Sequence, residues 1–304
     1  MRVFVTGASG WLGSAVVPEL IGAGHEVTGL ARSDTSAAAL TAAGAQVRLG
    51  DLDDLDGLRR GATESDGVIH LAFRHDLAFS GDFPAAIDAD RRAIEAFGDA
   101  LAGSDRPLVI ASGLLGFTPG QVTTEEDGHG RGTEDGGPAA RHANAELTLS
   151  LASRGVRSSV LRLPPTCHGD GDNGFMATLV GIAREKGVSG YLGDGSNRWS
   201  AAHRLDVAHL FRLAVEHAPA GSTLHAAAEE GVPIREIAEV IGRHLDLPVV
   251  SVSPDEATAH FSWLAGFLGI DGPASSTRTR ALLGWQPTHP GLIEDLEKGH
   301  YFHA

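Results

Sequence analysis

A glycine-rich turn follows the first apolar stretch of the chain. The segment Thr6-Gly7-Ala8-Ser9-Gly10-Trp11-Leu12-Gly13 lies between Val3-Phe4-Val5 and a stretch with helical periodicity. Glycines at this spacing allow a tight turn, let backbone N–H groups approach a pyrophosphate at a helix N-terminus, and let the helix pack closely on the strand. The turn predicts a dinucleotide site formed by Gly7, Ser9, Gly10, Trp11, Leu12 and Gly13. The alternative is a glycine-rich turn that binds no ligand.

Behind this turn, short apolar stretches alternate with helical patterns, which predicts right-handed βαβ crossovers and a parallel sheet. Val68-Ile69-His70-Leu71 and Leu108-Val109-Ile110 are continuous rather than alternating, as expected for strands covered on both faces. The predicted fold class is therefore α/β, a Rossmann doubly wound parallel sheet. Strands are predicted near residues 2–6, 26–31, 46–49, 67–72 and 107–112, and helices near 11–22, 34–43, 53–61 and 84–103.

The regular alternation loosens in the second half of the chain. A helix near 139–153 leads into a strand at 158–163, which Pro164 and Pro165 end. Residues 1–165 are predicted to form the Rossmann domain. Residues 166–304 form mainly a smaller C-terminal substrate-binding lobe, with segments that return to the sheet. Further helices are predicted near 205–216, 233–245 and 254–266. The segment 118–137, rich in Gly, Thr, Glu and Asp, is predicted to be a mobile surface loop.

Composition excludes several classes of protein. No apolar stretch approaches the roughly 20 residues that cross a bilayer, so no membrane insertion is expected. A formal net charge of −15 opposes binding to nucleic acid, which relies on clustered Lys and Arg. Cys167 is the single cysteine, so neither an intrachain disulfide nor a multi-cysteine zinc site can form. With an N-terminal sequence unlike a secretory leader, these features predict a cytoplasmic protein.

The end of the second predicted strand indicates which dinucleotide binds. An NAD site places an acidic residue there on the ribose 2′-OH, whereas this chain has Arg32 and Ser33. Arg32 can pair with a 2′-phosphate in a fork geometry, so NADP is favoured over NAD. The alternative is a solvated Arg32 followed by a helix cap at Asp34. Asp51, followed by Leu52 after the third strand, is placed to meet the adenine amino group or to cap a helix.

These motifs together resemble the short-chain dehydrogenase/reductase superfamily, in its extended branch of NAD(P)-dependent epimerases, dehydratases and reductases. The resemblance covers nearly the whole chain and includes late segments such as Gly193-Asp194-Gly195-Ser196-Asn197 and Leu283-Gly284-Trp285-Gln286-Pro287. It implies the Rossmann fold and a nicotinamide cofactor, and it says little about the substrate. Further cofactor contacts are expected from residues after the fourth and sixth strands, namely Leu71, Ala72, Phe73, Leu163, Pro164 and Pro165.

The catalytic centre departs from that family. The family's proton relay is a Tyr followed four residues later by a Lys, but neither Tyr191 nor Tyr301 has a lysine at that spacing. Counting back from Arg162 places the Tyr position near Pro138 and the Lys position near His142. A shift of one residue would instead put Arg141 in the place of the Lys.

Three residues are candidates for the chemistry. Ser112 matches the family's substrate-orienting hydroxyl at the carboxyl end of a central strand. His142 is a candidate proton donor, because an imidazole with an unperturbed pKa near 6.5 suits proton transfer at neutral pH. Its alternative is a histidine that only holds the cofactor ribose or Glu146. Tyr191 is the third candidate, with ordinary packing as its alternative.

The sequence therefore leaves three functions open. The first is an NADP-dependent reductase of a small, largely apolar carbonyl, imine or activated alkene, with a nonstandard proton donor. The second is a catalytically silent NADP-binding regulator or partner-binding protein, and the third is a nucleotide-sugar epimerase or dehydratase. We expect a small-molecule substrate, no metal and, by default for the fold, a homodimer. Aromatic residues could line an apolar substrate pocket or belong to the core, namely Trp199, Phe261, Trp263 and Phe267.

Overall fold

The structure, a computed structural model, describes residues 1–128 and 141–303. Its strands are β1 (Arg2–Thr6), β2 (Glu26–Ala31), β3 (Gln46–Leu49), β4 (Gly67–His70), β5 (Pro107–Gly113), β6 (Arg157–Leu163), β7 (Thr166–His168), β8 (Ser189–Leu192), β9 (Arg198–His203), β10 (Ser222–His225), β11 (Glu229–Pro233) and β12 (Val249–Val252). Within the described residues, β3, β2, β1, β4, β5, β6 and β10 form one sheet in that order, and their pairings are parallel. The predicted doubly wound α/β sheet is thus confirmed.

Helices cover both faces of this sheet. They are α1 (Gly13–Gly22), α2 (Asp34–Ala42), α3 (Leu55–Thr63), α4 (His75–Phe79), α5 (Phe83–Leu101), α6 (His142–Ser150), α7 (Phe175–Lys186), α8 (Arg204–His217), α9 (Ile234–Leu245), α10 (Ala257–Phe261), α11 (Ala265–Leu268), α12 (Thr277–Leu283) and α13 (Leu292–Glu297). Val3 and Val5 pack in one core with residues of α1 and α8, while Phe4 packs on the opposite side with residues of α3 and α5. This burial on two sides explains the unbroken apolar strands.

Smaller sheets and a separate apolar core form the C-terminal lobe. In the described chain, β11, β9 and β7 make one small sheet, and β12 pairs with β8. The core of the lobe includes Trp199, Phe261 and Leu264. Two later elements nevertheless lie with the Rossmann unit: β10 pairs with β6, and α8 packs against α1. The chain therefore crosses between the two units more than once.

One sequence prediction needs correction, and a second stays a prediction. The helix expected over 254–266 is broken into short turns, because Ser262 has a positive φ of 53° between α10 and α11. The loop expected over 118–137 is anchored in its described part. Thr123 N–H donates to Pro273 O (2.9 Å), and the Thr279 hydroxyl donates to Glu125 (2.7 Å). The rest of that loop, the start of the helix expected from 139, and Pro138 lie outside the described residues.

Candidate functional site

The phosphate turn has a backbone that only glycine allows at two positions. Gly7 has φ +65°, and a Cβ there would lie 2.7 Å from Ala72 N; a Cβ on Gly13 would lie 2.1 Å from Gly7 O. A Cβ on Gly10, by contrast, would meet only Gly7 O, at 3.2 Å. Ser9 and Gly10 are exposed. The closely packed ends fix the turn, and Gly10 N–H closes it by donating to Gly7 O (3.0 Å).

The helix that follows the turn has an N-terminus without a side-chain cap. Leu12 is the N-cap of α1 and provides no side-chain hydrogen bond. Ser14 N–H and Ala15 N–H already donate to Gly10 O (2.8 Å) and Leu12 O (2.9 Å), so the N–H of Gly13, the first residue of the helix, is the one that we expect to meet a phosphate. Trp11 is partly buried, and its Nε1–H donates to Cys167 O (2.8 Å). The turn and the helix N-terminus thus fit the pyrophosphate of a dinucleotide.

The residues expected at the adenine end lie at the ends of β2 and β3. Arg32 is exposed, and Ser33, rather than Asp34, caps α2 by accepting from Ser36 N–H (3.2 Å). Asp51 Oδ1 accepts from the N–H groups of Asp53 (2.9 Å) and Asp54 (3.2 Å), so it shapes the turn before α3. Leu52 is buried in the core on the α3 side of the sheet.

A buried hydrogen-bonded chain connects the phosphate turn to the next strand. Thr6 Oγ1 lies 2.6 Å from His70 Nδ1 and also accepts from Ala72 N–H (3.3 Å). His70 Nε2 lies 3.1 Å from Asp90 Oδ1. This chain fixes the segment after β4 that contains Leu71, Ala72 and Phe73, which are partly buried at the same edge of the sheet.

Asp90 is a buried carboxylate on α5 at the end of that chain. Its other oxygen accepts from Asn144 Nδ2–H (2.7 Å) on α6. Burial by itself raises the pKa of Asp90, but the hydrogen bond from His70 and the charge of Arg141 outweigh it and hold the pKa below its ordinary value. The site thus contains an ionised acid that the sequence analysis missed. The available signal was an acidic residue within the apolar stripe Ala86, Ala89, Ala93, Ile94 and Phe97.

Arg141 lies where the segments after β4 and β5 meet. Its Cζ is 4.1 Å from the centroid of the Phe73 ring, and its Nη2–H points to Ala111 O at 3.4 Å. Its Nε is buried and has no hydrogen-bond partner among the described residues. Burial lowers the pKa of this guanidinium, and the charge of Asp90 opposes that shift. Of the two positions considered for the missing lysine, Arg141 is the one whose charge faces Asp90.

Ser112 is near the end of β5 and faces the same side of the sheet as α6. Leu108 and Ile110, which alternate with it along the strand, pack in one core with Ala145 of α6. The Ser112 side chain is buried, and its Oγ has no hydrogen-bond partner within the part of the chain that the structure describes. A buried hydroxyl without a partner is costly, which favours a ligand oxygen at this position.

His142 begins α6 directly after Arg141. Its side chain is only 2% exposed, and its ring lies 4.9 Å from the Phe117 ring. The Arg162 guanidinium lies over the same Phe117 ring at 4.7 Å. The segment after β5 therefore holds His142 against a fixed aromatic surface, near the Ser112 end of the strand.

The remaining predicted residues lie in two places. Leu163, Pro164 and Pro165 follow β6, where Leu163 O accepts from Leu114 N–H (2.9 Å) beside the end of β5. Tyr191 lies instead in β8, paired with β12, and its ring contacts are with Gly195 and Arg235. Its ring thus contacts residues of the C-terminal lobe, including Arg235 of α9, and its role as a proton donor stays a prediction.

The described residues form neither a metal-binding cluster nor a membrane-spanning helix. They contain no group of three or more His, Cys, Asp or Glu residues arranged to hold a metal ion. In the same part of the chain, no helix is long and apolar enough to span a membrane. Burial raises the pKa of the Cys167 thiol, in keeping with a packed residue.

Comparison with known proteins gave matches over most of the chain. A sequence profile of the NAD dependent epimerase/dehydratase family matches residues 3–227. Uncharacterized protein C2A9.02 of Schizosaccharomyces pombe is 49% identical over 307 residues, which cover 99% of this chain and 100% of that protein. A 4-hydroxy-2-methyl-3-oxo-4-farnesyl-3,4-dihydroquinoline-1-oxide ketoreductase of Stigmatella aurantiaca is 28% identical over 248 residues, 77% of this chain and 70% of its own length.

Among solved structures, UDP-glucose 4-epimerase of Thermus thermophilus in complex with NAD matches with a TM-score of 0.75. The sequence identity is 20%, and the match covers 99% of both chains. At this identity the likeness shows a shared fold.

Proposed function

The chain belongs to the NAD dependent epimerase/dehydratase family, and we propose that within it the protein is an NADP-dependent reductase of a small, largely apolar carbonyl, imine or activated alkene. Membership confirms the resemblance to the short-chain dehydrogenase/reductase superfamily and identifies an NAD(P)-dependent enzyme of that type. A catalytically silent binder is therefore not retained. The reductase, its substrate and its preference for NADP are the proposal.

One observation carries the reductase proposal, namely the group of polar side chains at the carboxyl end of β5. Arg141 reaches Ala111 O, Ser112 presents a buried Oγ without a partner among the described residues, and His142 follows Arg141 on α6. Open α/β sheets bind their ligands at this edge. A hydroxyl, a cation and an imidazole in one place can orient a carbonyl and provide a proton without the usual Tyr and Lys.

Each of these residues has a distinct role in the proposal. A bound reduced nicotinamide supplies a hydride to the electrophilic carbon of the substrate. Ser112 Oγ–H donates a hydrogen bond to the substrate oxygen and orients it, and His142 transfers a proton to that oxygen as negative charge develops there. Arg141 provides a fixed positive charge that holds the cofactor ribose hydroxyls. Asp90 orients Arg141 through its opposite charge.

The preference for NADP depends on Arg32. Its guanidinium is exposed at the end of β2 and has no ion pair within the described chain, so it is available to a 2′-phosphate. Ser33 already caps α2, so we assign it a supporting position rather than the main contact. No acidic side chain stands at position 32 or 33 to accept from a ribose 2′-OH.

The C-terminal lobe favours an apolar substrate. The Phe175 ring lies 5.3 Å from Trp199, 5.7 Å from Trp263 and 5.4 Å from Phe267. Leu115, three residues after Ser112, packs in the same core as Trp199, which connects the aromatic group to the end of β5. Trp199 and Phe261 are fully buried and belong to the core of the lobe, whereas Phe175, Trp263 and Phe267 keep exposed surface and are the members accessible to a substrate. The ketoreductase relative, named for a quinoline oxide substrate, supports this choice.

A nucleotide sugar is the second candidate, favoured by the family and by the fold shared with UDP-glucose 4-epimerase. Its diphosphate would need free cations in the lobe. Arg198 is instead paired with Asp271 (3.0 Å), Arg235 with Glu239 (2.9 Å), and Arg243 with Glu297. These ion pairs weigh against a diphosphate subsite at these three arginines, and we keep the reductase as the first proposal.

The two candidates are separated by one set of assays. The protein is incubated with NADPH and a panel of aryl ketones, imines and enals, and separately with UDP-glucose and NAD. We expect NADPH oxidation that depends on an added aryl substrate, and no conversion of UDP-glucose to UDP-galactose. Conversion of the sugar without NADPH oxidation would replace the reductase with the epimerase.

A further inference from the structure

We propose that Arg204 binds the pyrophosphate of the dinucleotide from the side facing the glycine turn, as an anion contact contributed by the second half of the chain. The inference rests on the dinucleotide part of the proposed function and is independent of the reductase chemistry. Its ligand is a diphosphate ester. The residues that carry it are Arg204, Trp11 and Gly169.

Arg204 is directly in contact with the phosphate turn. Its Cζ lies 4.2 Å from the centroid of the Trp11 ring, a cation–π contact at the first residue of α8. Trp11 is itself fixed by the hydrogen bond from its Nε1–H to Cys167 O. Because the turn next to Trp11 is expected to meet a pyrophosphate, this contact holds the guanidinium beside the expected phosphate site.

The stem of Arg204 is held by a glycine. Gly169 has φ +145°, and a Cβ there would lie 3.2 Å from Arg204 Cγ and 3.3 Å from Cδ. Two residues on, a Cβ at Gly171 would lie 3.9 Å from Trp11 Cζ3. The loop between β7 and α7 therefore packs against both partners of the stack.

The charge of Arg204 has no direct counter-ion in the described chain. No carboxylate oxygen of those residues lies within 4.0 Å of its nitrogens, although Asp170 and Asp172 act on it from farther away. By contrast, Arg212, on the same helix, is bonded to Glu19 (2.7 Å) and Glu216 (3.0 Å). A partly buried guanidinium that is stacked and not paired is prepared for a bidentate phosphate contact.

The test measures the binding of three probes by calorimetry. NADPH has a pyrophosphate and a 2′-phosphate, NADH has only the pyrophosphate, and 2′-AMP has only the 2′-phosphate. Arg204→Gln should weaken NADPH and NADH by the same factor, about tenfold or more, and leave 2′-AMP binding within twofold. Arg32→Gln should weaken the binding of NADPH and 2′-AMP and leave the affinity for NADH within twofold. Arg235→Gln, which removes an equal charge far from the turn, should change none of them.

Arg204→Lys distinguishes a direct contact with the pyrophosphate from a purely structural effect. It keeps the charge and loses the fork, so its affinity for NADPH should lie between those of the parent and the Gln variant, with an unchanged melting temperature. The inference is overturned if Arg204→Gln binds NADPH and NADH within twofold of the parent, if 2′-AMP weakens equally, or if the Lys variant is as weak as the Gln variant. Failure of the reductase proposal looks different: the parent binds NADPH normally but oxidises it with no substrate.

Discussion

The phosphate turn presents backbone groups, whereas the nicotinamide end of the site presents side chains. At the turn, we expect a ligand to meet backbone N–H groups, and Gly7 and Gly13 are required because a Cβ would collide with backbone atoms. At the nicotinamide end, the candidate groups are the side chains of Ser112, Arg141 and His142, supported by the buried Asp90. The first region depends on the path of the backbone, and the second depends on the charge and hydrogen-bonding groups of its side chains.

This difference predicts how the two regions respond to substitution. At the turn, a Cβ on Gly7 or Gly13 would collide with backbone atoms, so neither position tolerates a side chain. At the nicotinamide end, one side chain can be exchanged for another of the same charge or hydrogen-bonding capacity. The Thr6–His70–Asp90 chain connects the two regions physically, and this makes the comparison open to experiment.

The largest effect is expected at the turn. Gly10→Val should reduce NADPH affinity at least 1,000-fold, about 4 kcal/mol, because the added methyl groups occupy the path of the pyrophosphate. The fold should survive, since a Cβ at this position meets only Gly7 O at 3.2 Å. Calorimetry measures the affinity and circular dichroism the fold. Gly22→Val on α1, where a Cβ meets nothing within 4 Å, is the control. Normal binding by Gly10→Val would move the phosphate site elsewhere.

Arg141 tests whether a side chain at the nicotinamide end replaces the missing lysine. Arg141→Gln should lower kcat by about 100-fold, because it removes a preorganised positive charge from the ribose and the reacting oxygen. Arg141→Lys should recover most of the rate. Steady-state kinetics at saturating NADPH make the comparison, and a Lys variant as slow as the Gln variant would assign Arg141 to packing on Phe73.

Asp90 tests the connection between the two regions. Asp90→Asn should lower the free energy of unfolding at neutral pH by about 2 kcal/mol, because Arg141 and His70 lose a buried counter-charge. The lowered pKa of Asp90 means that its stabilisation is present at neutral pH and is lost as pH falls through that pKa, below about 4. In urea titrations the parent should therefore lose more stability on acidification than the variant. Asp88→Asn, which removes an exposed carboxylate from the same helix, should destabilise the protein much less than Asp90→Asn.

The smallest effect concerns the choice of cofactor. NADPH should bind at least tenfold more tightly than NADH, about 1.4 kcal/mol, and Arg32→Asp should reverse the order. Arg59→Asp, which makes the same charge change on the outer face of α3, should preserve the preference for NADPH. Equal affinities of the parent for both cofactors would remove Arg32 from the site.

The phosphate turn was easier to predict from the sequence than the nicotinamide end. The first βα unit could be predicted because the glycine spacing and the apolar strand are local signals. The missing Tyr and Lys were visible as well, but the choice between Arg141 and His142 was not, because one residue along a helix turns a side chain by about 100°. The contacts on which we base the proposals for Asp90 and Arg204 are with residues distant in sequence. No periodic sequence pattern predicts the hydrogen bond from Thr123 to Pro273 or the helix break at Ser262.

Proton transfer from His142 is the central claim, and single-turnover oxidation of bound NADPH tests it most directly. An aryl ketone that the parent reduces is mixed with NADPH-loaded parent, His142→Ala and Tyr191→Phe. We predict that His142→Ala slows the step by about 10² to 10⁴ while its NADPH affinity stays within a few-fold, and that Tyr191→Phe matches the parent. A His142→Ala protein as fast as the parent, or one that only loses NADPH affinity, would contradict the claim.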